Sequence, residues 1–298
     1  MKQYHLEESP IVYYISRKER AEWILFIHAA FVNHNMFQAQ IDYFQDKYNI
    51  LTLDIIGHGK STKVQKGDSI DKMSSWINKI LKTEKIEKIH IVGISLGAVL
   101  AQDFANQYPE AVQSLACFGG YDINNFDVKM QKENSASQIL MMLKAIFSIK
   151  WFAKSNKKIS AYTLQAQKDF YEMNIQFSKK SFMYLSSLSS MINVRQTEPR
   201  KYPLLIGCGK YDIPMELSAV EMWKKNEPEC GVIIFEGAGH CVNMDTPNKF
   251  NAAMEEFWLS GKGDEGGNTG KGRSRKTGGS KESERGAGTD ADRARTGT

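Results

Sequence analysis

The sequence predicts an α/β protein, with a mostly parallel central sheet, helices on both faces and a helical insertion after the middle strands. Three observations predict it. Short apolar, β-branched runs recur through the first 260 residues, helix-period segments lie between most of them, and several runs are apolar at every position rather than at alternate ones. A strand that is apolar throughout must be covered on both faces, as in a crossover-connected parallel sheet. Alternation of strand and helix produces such a sheet through right-handed crossovers.

Runs at 11–15, 23–27, 50–53, 89–94, 115–118, 204–207 and 232–235 read as strands, being short and rich in Ile, Val, Leu and Phe. Segments 73–81, 98–107, 216–224 and 248–258 carry apolar residues at helical spacing. The alternation stops between about residues 122 and 200, a stretch rich in Met, Phe, Tyr, Ser and Lys. Helical spacing there (Ile139, Met142, Leu143, Ile146) predicts helices and no buried strand. Because this insertion follows a strand whose C-terminal end should border the site, a lid is expected. The predicted organisation is a core of residues 1–121 and 201–260, a helical lid at 122–200 and a disordered tail at 261–298.

That tail has 11 glycines and no aromatic, Leu, Ile, Val or Met, so it has nothing to bury against the entropy of ordering. Its Lys to Arg ratio of 4 to 5 contrasts with 26 to 4 in the body, which suggests an appended segment. It also carries +3 of the chain's net charge of +5. The body, near neutral, shows no basic stripe, and Lys79, Lys82, Lys85 and Lys88 alternate with Glu84 and Glu87 as on a solvated helix face. A nucleic-acid partner is therefore not expected. No run of 18 apolar residues predicts a membrane span. The polar first ten residues do not read as a secretory signal. Four scattered cysteines (Cys117, Cys208, Cys230, Cys241) fit neither a disulfide framework nor a zinc site, and a reducing cytoplasm is the expected location. No His, Asp and Glu set has metal spacing, so neither a metal nor another cofactor is expected.

The most specific motif is Gly93, Ile94, Ser95, Leu96 and Gly97, which follows a predicted strand and opens a predicted helix. A GxSxG segment in this context holds a serine at the apex of a sharp strand-to-helix turn, with its hydroxyl exposed beside a helix N-terminus. The glycines permit strand and helix to cross closely. Ser95 is thus the candidate nucleophile.

Four further segments resemble, in the same order, the α/β-hydrolase superfamily. His28, Ala29, Ala30 and Phe31 resemble its oxyanion loop, and Asp54, Gly57, Gly59 and Ser61 its DxxGxGxS turn. Gly209, Tyr211 and Asp212 resemble the loop of the triad acid, and Gly237, Gly239 and His240 that of the triad histidine. The resemblance spans about residues 10–260 and implies a lidded, esterase- or lipase-like serine hydrolase.

The chemistry points the same way. A serine hydroxyl needs a base, for which neutral imidazole is suited near pH 7, and the base needs an acid to fix its tautomer. His240 and Asp212 lie on loops after strands, in the chain order Ser, Asp, His. Asp122, after strand 115–118, is the competing acid, since some enzymes of this fold place theirs there. The backbone amides of Leu96 and Ala30 are the expected oxyanion donors. Ala29 stands where the family usually has glycine, and a positive φ there would strain the loop by about 1 kcal/mol or more. His28 is expected to orient that loop, Asp54 to hold its turn, and His58 to be a turn residue; His34 is a possible cavity residue.

The resulting expectation is hydrolysis of a small or medium carboxylic ester, lactone or thioester through an acyl-enzyme, with a small-molecule acyl substrate. Lid aromatics and methionines reaching the cavity would favour an apolar acyl group. The alternatives are carbon–carbon bond hydrolysis or acyl transfer by the same triad, or a signal receptor with slow or no turnover. The oligomeric state is left open.

Overall fold

The computed structural model describes residues 1–126, 144, 147–192 and 200–260. The tail of 261–298 and part of the insertion, including Met141 and Met142, lie outside them. Eight strands form one sheet: β1 (Lys2–His5), β2 (Val12–Ser16), β3 (Trp23–Ile27), β4 (Asn49–Leu53), β5 (Ile89–Ile94), β6 (Val112–Phe118), β7 (Leu204–Gly209) and β8 (Gly231–Phe235). Their order is β1-β2-β4-β3-β5-β6-β7-β8. β1 and β2 are antiparallel to their neighbours, and all pairings from β4 to β8 are parallel.

The helices are α1 (Gln38–Phe44), α2 (Met73–Glu84), α3 (Leu96–Gln107), α4 (Ile149–Ser160), α5 (Leu164–Asn174), α6 (Pro214–Asn226), α7 (Val242–Asp245) and α8 (Pro247–Ser260). A 3-10 segment, Lys179–Met191, comes after α5. The uninterrupted apolar strands supply two cores by strict alternation. Leu25, Ile27, Leu51, Leu53, Ile91 and Leu115 join the core shared with α2, α3 and α6. Ile24, Phe26, Ile50, Val92 and Ala116 join the opposite core, closed by α1 and α8 through Phe44, Phe250 and Trp258.

Seven of the eight strands match the expected runs within a few residues; β1 does not. Its residues Lys2, Gln3, Tyr4 and His5 carry no apolar pattern because it is an edge strand, mostly exposed and held by antiparallel pairing to β2. β8 departs from the expectation of coverage on both faces. It is the other edge, and Val232 and Ile234 are each 42% exposed.

A single close crossing of helix over strand sets the position of Ser95. α3 passes so close to β3 that a Cβ on Gly97 would stand 2.0 Å from the Ile27 carbonyl oxygen. A Cβ on Gly93 would stand 2.3 Å from the Gly97 carbonyl oxygen. Backbone cannot yield as a flexible side chain can. Gly97→Ala is therefore expected to destabilise the fold at or beyond the upper end of the ~1–3 kcal/mol typical of overpacking. Denaturant unfolding against the parent protein measures it, and an unchanged midpoint would contradict so tight a crossing.

Candidate active site

The turn between β5 and α3 forces Ser95 to φ 55°, ψ −116°. That is a rare conformation for a residue with a side chain, and such strain persists only where the surroundings over-determine it. They do so here, because the Ser95 amide donates to the Phe118 carbonyl at 2.8 Å and its carbonyl accepts from Ala98 at 2.8 Å.

Asp212 ends the loop after β7. Its carboxylate accepts from the Ile213 amide at 2.8 Å, at the start of α6, where the helix dipole favours an anion. His240, on the loop between β8 and α7, places Nδ1 3.0 Å and 3.1 Å from the two Asp212 carboxylate oxygens. With the Nδ1 proton donated there, Nε2 is left as an acceptor. The Asp212 side chain is fully buried, so this bond is shielded from water. Burial alone would depress the imidazolium, but the Asp212 charge and hydrogen bond, with Glu216 adding, carry His240 up to about 9.

Ser95 and His240 line one cavity of about 290 Å³ with Ala29, Ala30, Phe31, Asn156, Ile159, Ser160, Phe170, Ile213 and Glu216. Asp212 stands behind His240. Leu96 comes directly after Ser95 as the first residue of α3, and neither its amide nor that of Ala30 donates to an acceptor among the described residues. Two free amides near the serine can meet an oxyanion.

The early loop differs from the expected strain. Ala29 is not at positive φ; Phe31 is, at 69°. The strained residue is thus two positions later and aromatic. Its ring packs edge-on against Phe152 and Phe177, at 5.0 and 5.2 Å, which holds the conformation. His28 is fully buried, contacting the Ala29 carbonyl through Nδ1 at 2.7 Å and accepting from the Ile55 amide through Nε2 at 2.9 Å. Burial lowers it to about 4, so it is a neutral bracket for the loop.

The competing acid is elsewhere. Asp122 accepts from the Asn124 amide and from the side chains of Asn125 and Asn226, and does not contact His240. Asp54 holds its turn through the Lys60 amide and also takes the Tyr14 hydroxyl and His34. His34 lines a separate cavity of about 200 Å³, which shares Phe31 with the first. His58 is buried in its turn, with Nδ1 on the Ile56 carbonyl. Among the described residues, no group of three or more His, Cys, Asp or Glu could hold a metal ion.

The insertion contributes more polar lining than its composition foretold. Of its aromatics and methionines, Phe170 lines the cavity and Phe152 and Phe177 are buried around Phe31, whereas Phe147, Trp151, Tyr162 and Met183 are exposed. Asn156 and Ser160 of α4 present polar groups instead. Two residues carry weight that the sequence did not single out, Glu216 and Asp245, and Phe31 carries more than its place in the early-loop motif indicated. Asp245 accepts from the Tyr162 and Thr163 amides, the Thr163 hydroxyl and the Gly239 amide, at 2.7 to 2.9 Å. It ties the α4–α5 corner to the residue preceding His240.

The family described as the alpha/beta hydrolase fold matches residues 22–148. Monoacylglycerol lipase ABHD6 of Homo sapiens is 26% identical over 253 residues, covering 80% of this chain and 75% of that protein. The (E)-2-((N-methylformamido)methylene)succinate hydrolase of Acinetobacter baylyi is 22% identical over 260 residues, covering 85% and 96%. A solved bacterial membrane phospholipase A superposes with a TM-score of 0.73 at 16% identity, over 88% of this chain and 86% of that one. A thermophilic esterase from Thermogutta terrifontis gives 0.69 at 14% identity, over 87% and 98%. At these identities the structural likenesses speak to the fold.

Asp245→Ala would leave three backbone amides without their carboxylate. A loss of about 2–4 kcal/mol in stability is expected, in line with removal of charge-assisted hydrogen bonds from a partly buried site. Unfolding by urea reads it, and a change below ~0.5 kcal/mol would show that the corner is held by other contacts.

Proposed function

The chain belongs to the α/β-hydrolase superfamily of enzymes, and we propose that it is a serine hydrolase cleaving a small or medium carboxylic ester through an acyl-enzyme. One observation carries the proposal: strained Ser95 and the Asp212-bonded His240 open onto the same cavity. In this reading neutral His240 takes the Ser95 proton as Oγ attacks the ester carbonyl. The Leu96 and Ala30 amides hold the oxyanion, and His240 then protonates the leaving alkoxide. Water repeats the sequence on the acyl-enzyme. Asp212 holds the tautomer and stabilises the imidazolium.

Esters are favoured over other acyl compounds because the relatives include a monoacylglycerol lipase by name. The serine at position 95 sets the chain apart from aspartate-nucleophile chemistry, although Epoxide hydrolase 1 of Caenorhabditis elegans is also a relative, 24% identical over 78% of this chain. The insertion is read as a lid, since its α4 and α5 supply Asn156, Ile159, Ser160 and Phe170 to the cavity. Among the described residues no helix is long and apolar enough to cross a membrane. Four free, buried cysteines suit a reducing compartment such as the cytoplasm.

A fluorophosphonate probe should label Ser95, and Ser95→Ala should abolish the labelling; an adduct on another serine by mass spectrometry would refute the assignment. Asp212→Asn should lower kcat on the order of 10³- to 10⁴-fold while the fold persists. Asp122→Asn, which removes only a turn acceptor, should cost far less. A crippled Asp122→Asn enzyme beside an active Asp212→Asn would reverse the choice of acid.

The pH profile is governed by His240. Its raised value, about 9, means the imidazolium predominates at pH 7, and only the neutral ring is a base. Accordingly kcat/KM for an activated ester should rise from pH 7 through about 9, approaching roughly tenfold per unit on the acid side. A plateau already reached near pH 7 would show that the Asp212 and Glu216 charges do not act as the geometry implies.

A further inference from the structure

Glu216 is the third residue of α6 and turns inward, where it lines the Ser95–His240 cavity. It is 6% exposed, and its Oε2 has no hydrogen-bond partner. The cavity's other polar groups do not supply one. Asn156 donates to the Asn174 side chain at 3.1 Å and accepts from the Ser160 hydroxyl at 3.4 Å. His240 donates to Asp212. A glutamate in the first turn of a helix gains from the helix dipole equally well when it points to solvent, so the dipole does not account for its burial. Buried polar atoms are almost always paired, and an unpaired carboxyl is costly to folding.

From this placement we propose that Glu216 is a specificity-determining residue, whose carboxylate accepts a hydrogen bond from a hydroxyl or ammonium group carried by the substrate. The inference rests on the serine-hydrolase reading and narrows it to esters with a polar donor a short distance from the scissile bond. An ionised carboxylate offers acceptors only, so a ligand must present O–H or N–H. Burial raises the carboxyl to about 6, against the pull of His240, so above that pH Glu216 is the acceptor the donor needs. The aliphatic and aromatic part of the lining, Ile159, Phe170, Ile213 and Phe31, leaves room for the apolar remainder of the same molecule. A plain alkyl ester would leave the Glu216 carboxylate without a donor in a cavity from which it has displaced water.

Matched esters test this: one acyl group on plain, ω-hydroxy and ω-amino alcohols of equal length, and one alcohol on the three corresponding acyl chains. The parent enzyme is expected to prefer a donor-bearing ester over its plain counterpart by about ten- to hundredfold in kcat/KM, the worth of one hydrogen bond to a charged group. Whether the hydroxy or the amino series shows it identifies the donor. In Glu216→Gln the preference of an amino series should fall at least tenfold, and in Glu216→Met the preference of either series should vanish. Neither variant should melt far below the parent, since the relief of burying a carboxylate whose Oε2 has no hydrogen-bond partner offsets the lost attraction to His240. No preference in the parent, a preference untouched by Glu216→Met, or equal losses on all esters would overturn the proposal; equal losses would mean that Glu216 acts through His240 alone. A lowered melting temperature in both variants with the preference retained would mark a structural residue and likewise overturn it. Fluorophosphonate labelling of the parent separates the two levels. Labelling of Ser95 without discrimination overturns the Glu216 role alone, whereas neither labelling nor turnover of any ester overturns the hydrolase reading and this proposal with it.

Discussion

Where α3 crosses the sheet, a Cβ on Gly97 would fall 2.0 Å from the Ile27 carbonyl oxygen of β3, and a Cβ on Gly93 of β5 would fall 2.3 Å from the Gly97 carbonyl oxygen of α3. The chain between them must therefore turn from strand to helix within a single residue, and that residue, Ser95, takes the strain. The sheet supplies the energy that maintains it. β5 lies at the centre of the order, flanked by β3 and β6 and covered by apolar side chains on both faces. Relaxing Ser95 would mean unseating α3 from the core, where Leu100, Ala101 and Phe104 are fully buried. One backbone contact thus couples the stability of the whole domain to the exposure of one hydroxyl.

At the opposite side of the cavity the governing force is electrostatic. Two carboxylates and one imidazole share a region nearly cut off from solvent. Desolvation opposes every charge there: it raises Glu216 and depresses His28 and His58, which lack a carboxylate in direct contact. His240 is the exception, because the Asp212 carboxylate is hydrogen-bonded to it and the attraction outweighs the desolvation. The same burial therefore yields neutral rings at His28 and His58 and a strong base at His240. The difference comes from a partner 3.0 Å away rather than from depth.

Most of this was legible in the sequence wherever a residue's role is set by its neighbours in the chain. Strands β2 to β7 are apolar runs because both their faces are covered, and the Ser95 turn is announced by two glycines at fixed spacing. β1 was not legible: an edge strand paired on one side needs no apolar pattern, and Lys2, Gln3, Tyr4 and His5 have none. The early loop was half legible. The segment after β3 was expected to carry its positive φ at Ala29, where glycine is usual, but it lies at Phe31, whose conformation is fixed by Phe152 and Phe177 from the distant insertion. Glu216 and Asp245 were illegible for a related reason. An acidic residue in a helix's first or last turn reads as ordinary surface, and only the tertiary fold shows one turned into a cavity and the other gathering four donors.

The cavity is built from two sources, and they divide the work unequally. The core gives Ser95, His240 and the two loop alanines, whose placement is set by sheet geometry. The insertion gives Asn156, Ile159, Ser160 and Phe170, whose placement is set by how α4 and α5 are tied down. Those ties are themselves made to the loops that carry His240 and Phe31. Cys241, the residue after His240, donates to the Ser160 carbonyl at 2.8 Å, and Asn174 donates to the Phe31 carbonyl at 3.2 Å. A change in the insertion that shifts α4 would thus move the neighbours of His240 and of the strained Phe31 together with the substrate lining. The insertion's part of the cavity lining and the His240 and Phe31 loops are mechanically linked at these seams. Glu216 is anchored differently, because it is the third residue of α6, which packs on the core through Ala219, Val220 and Trp223. A polar substrate group held there would be fixed relative to Ser95 by the sheet, whatever the insertion does above it.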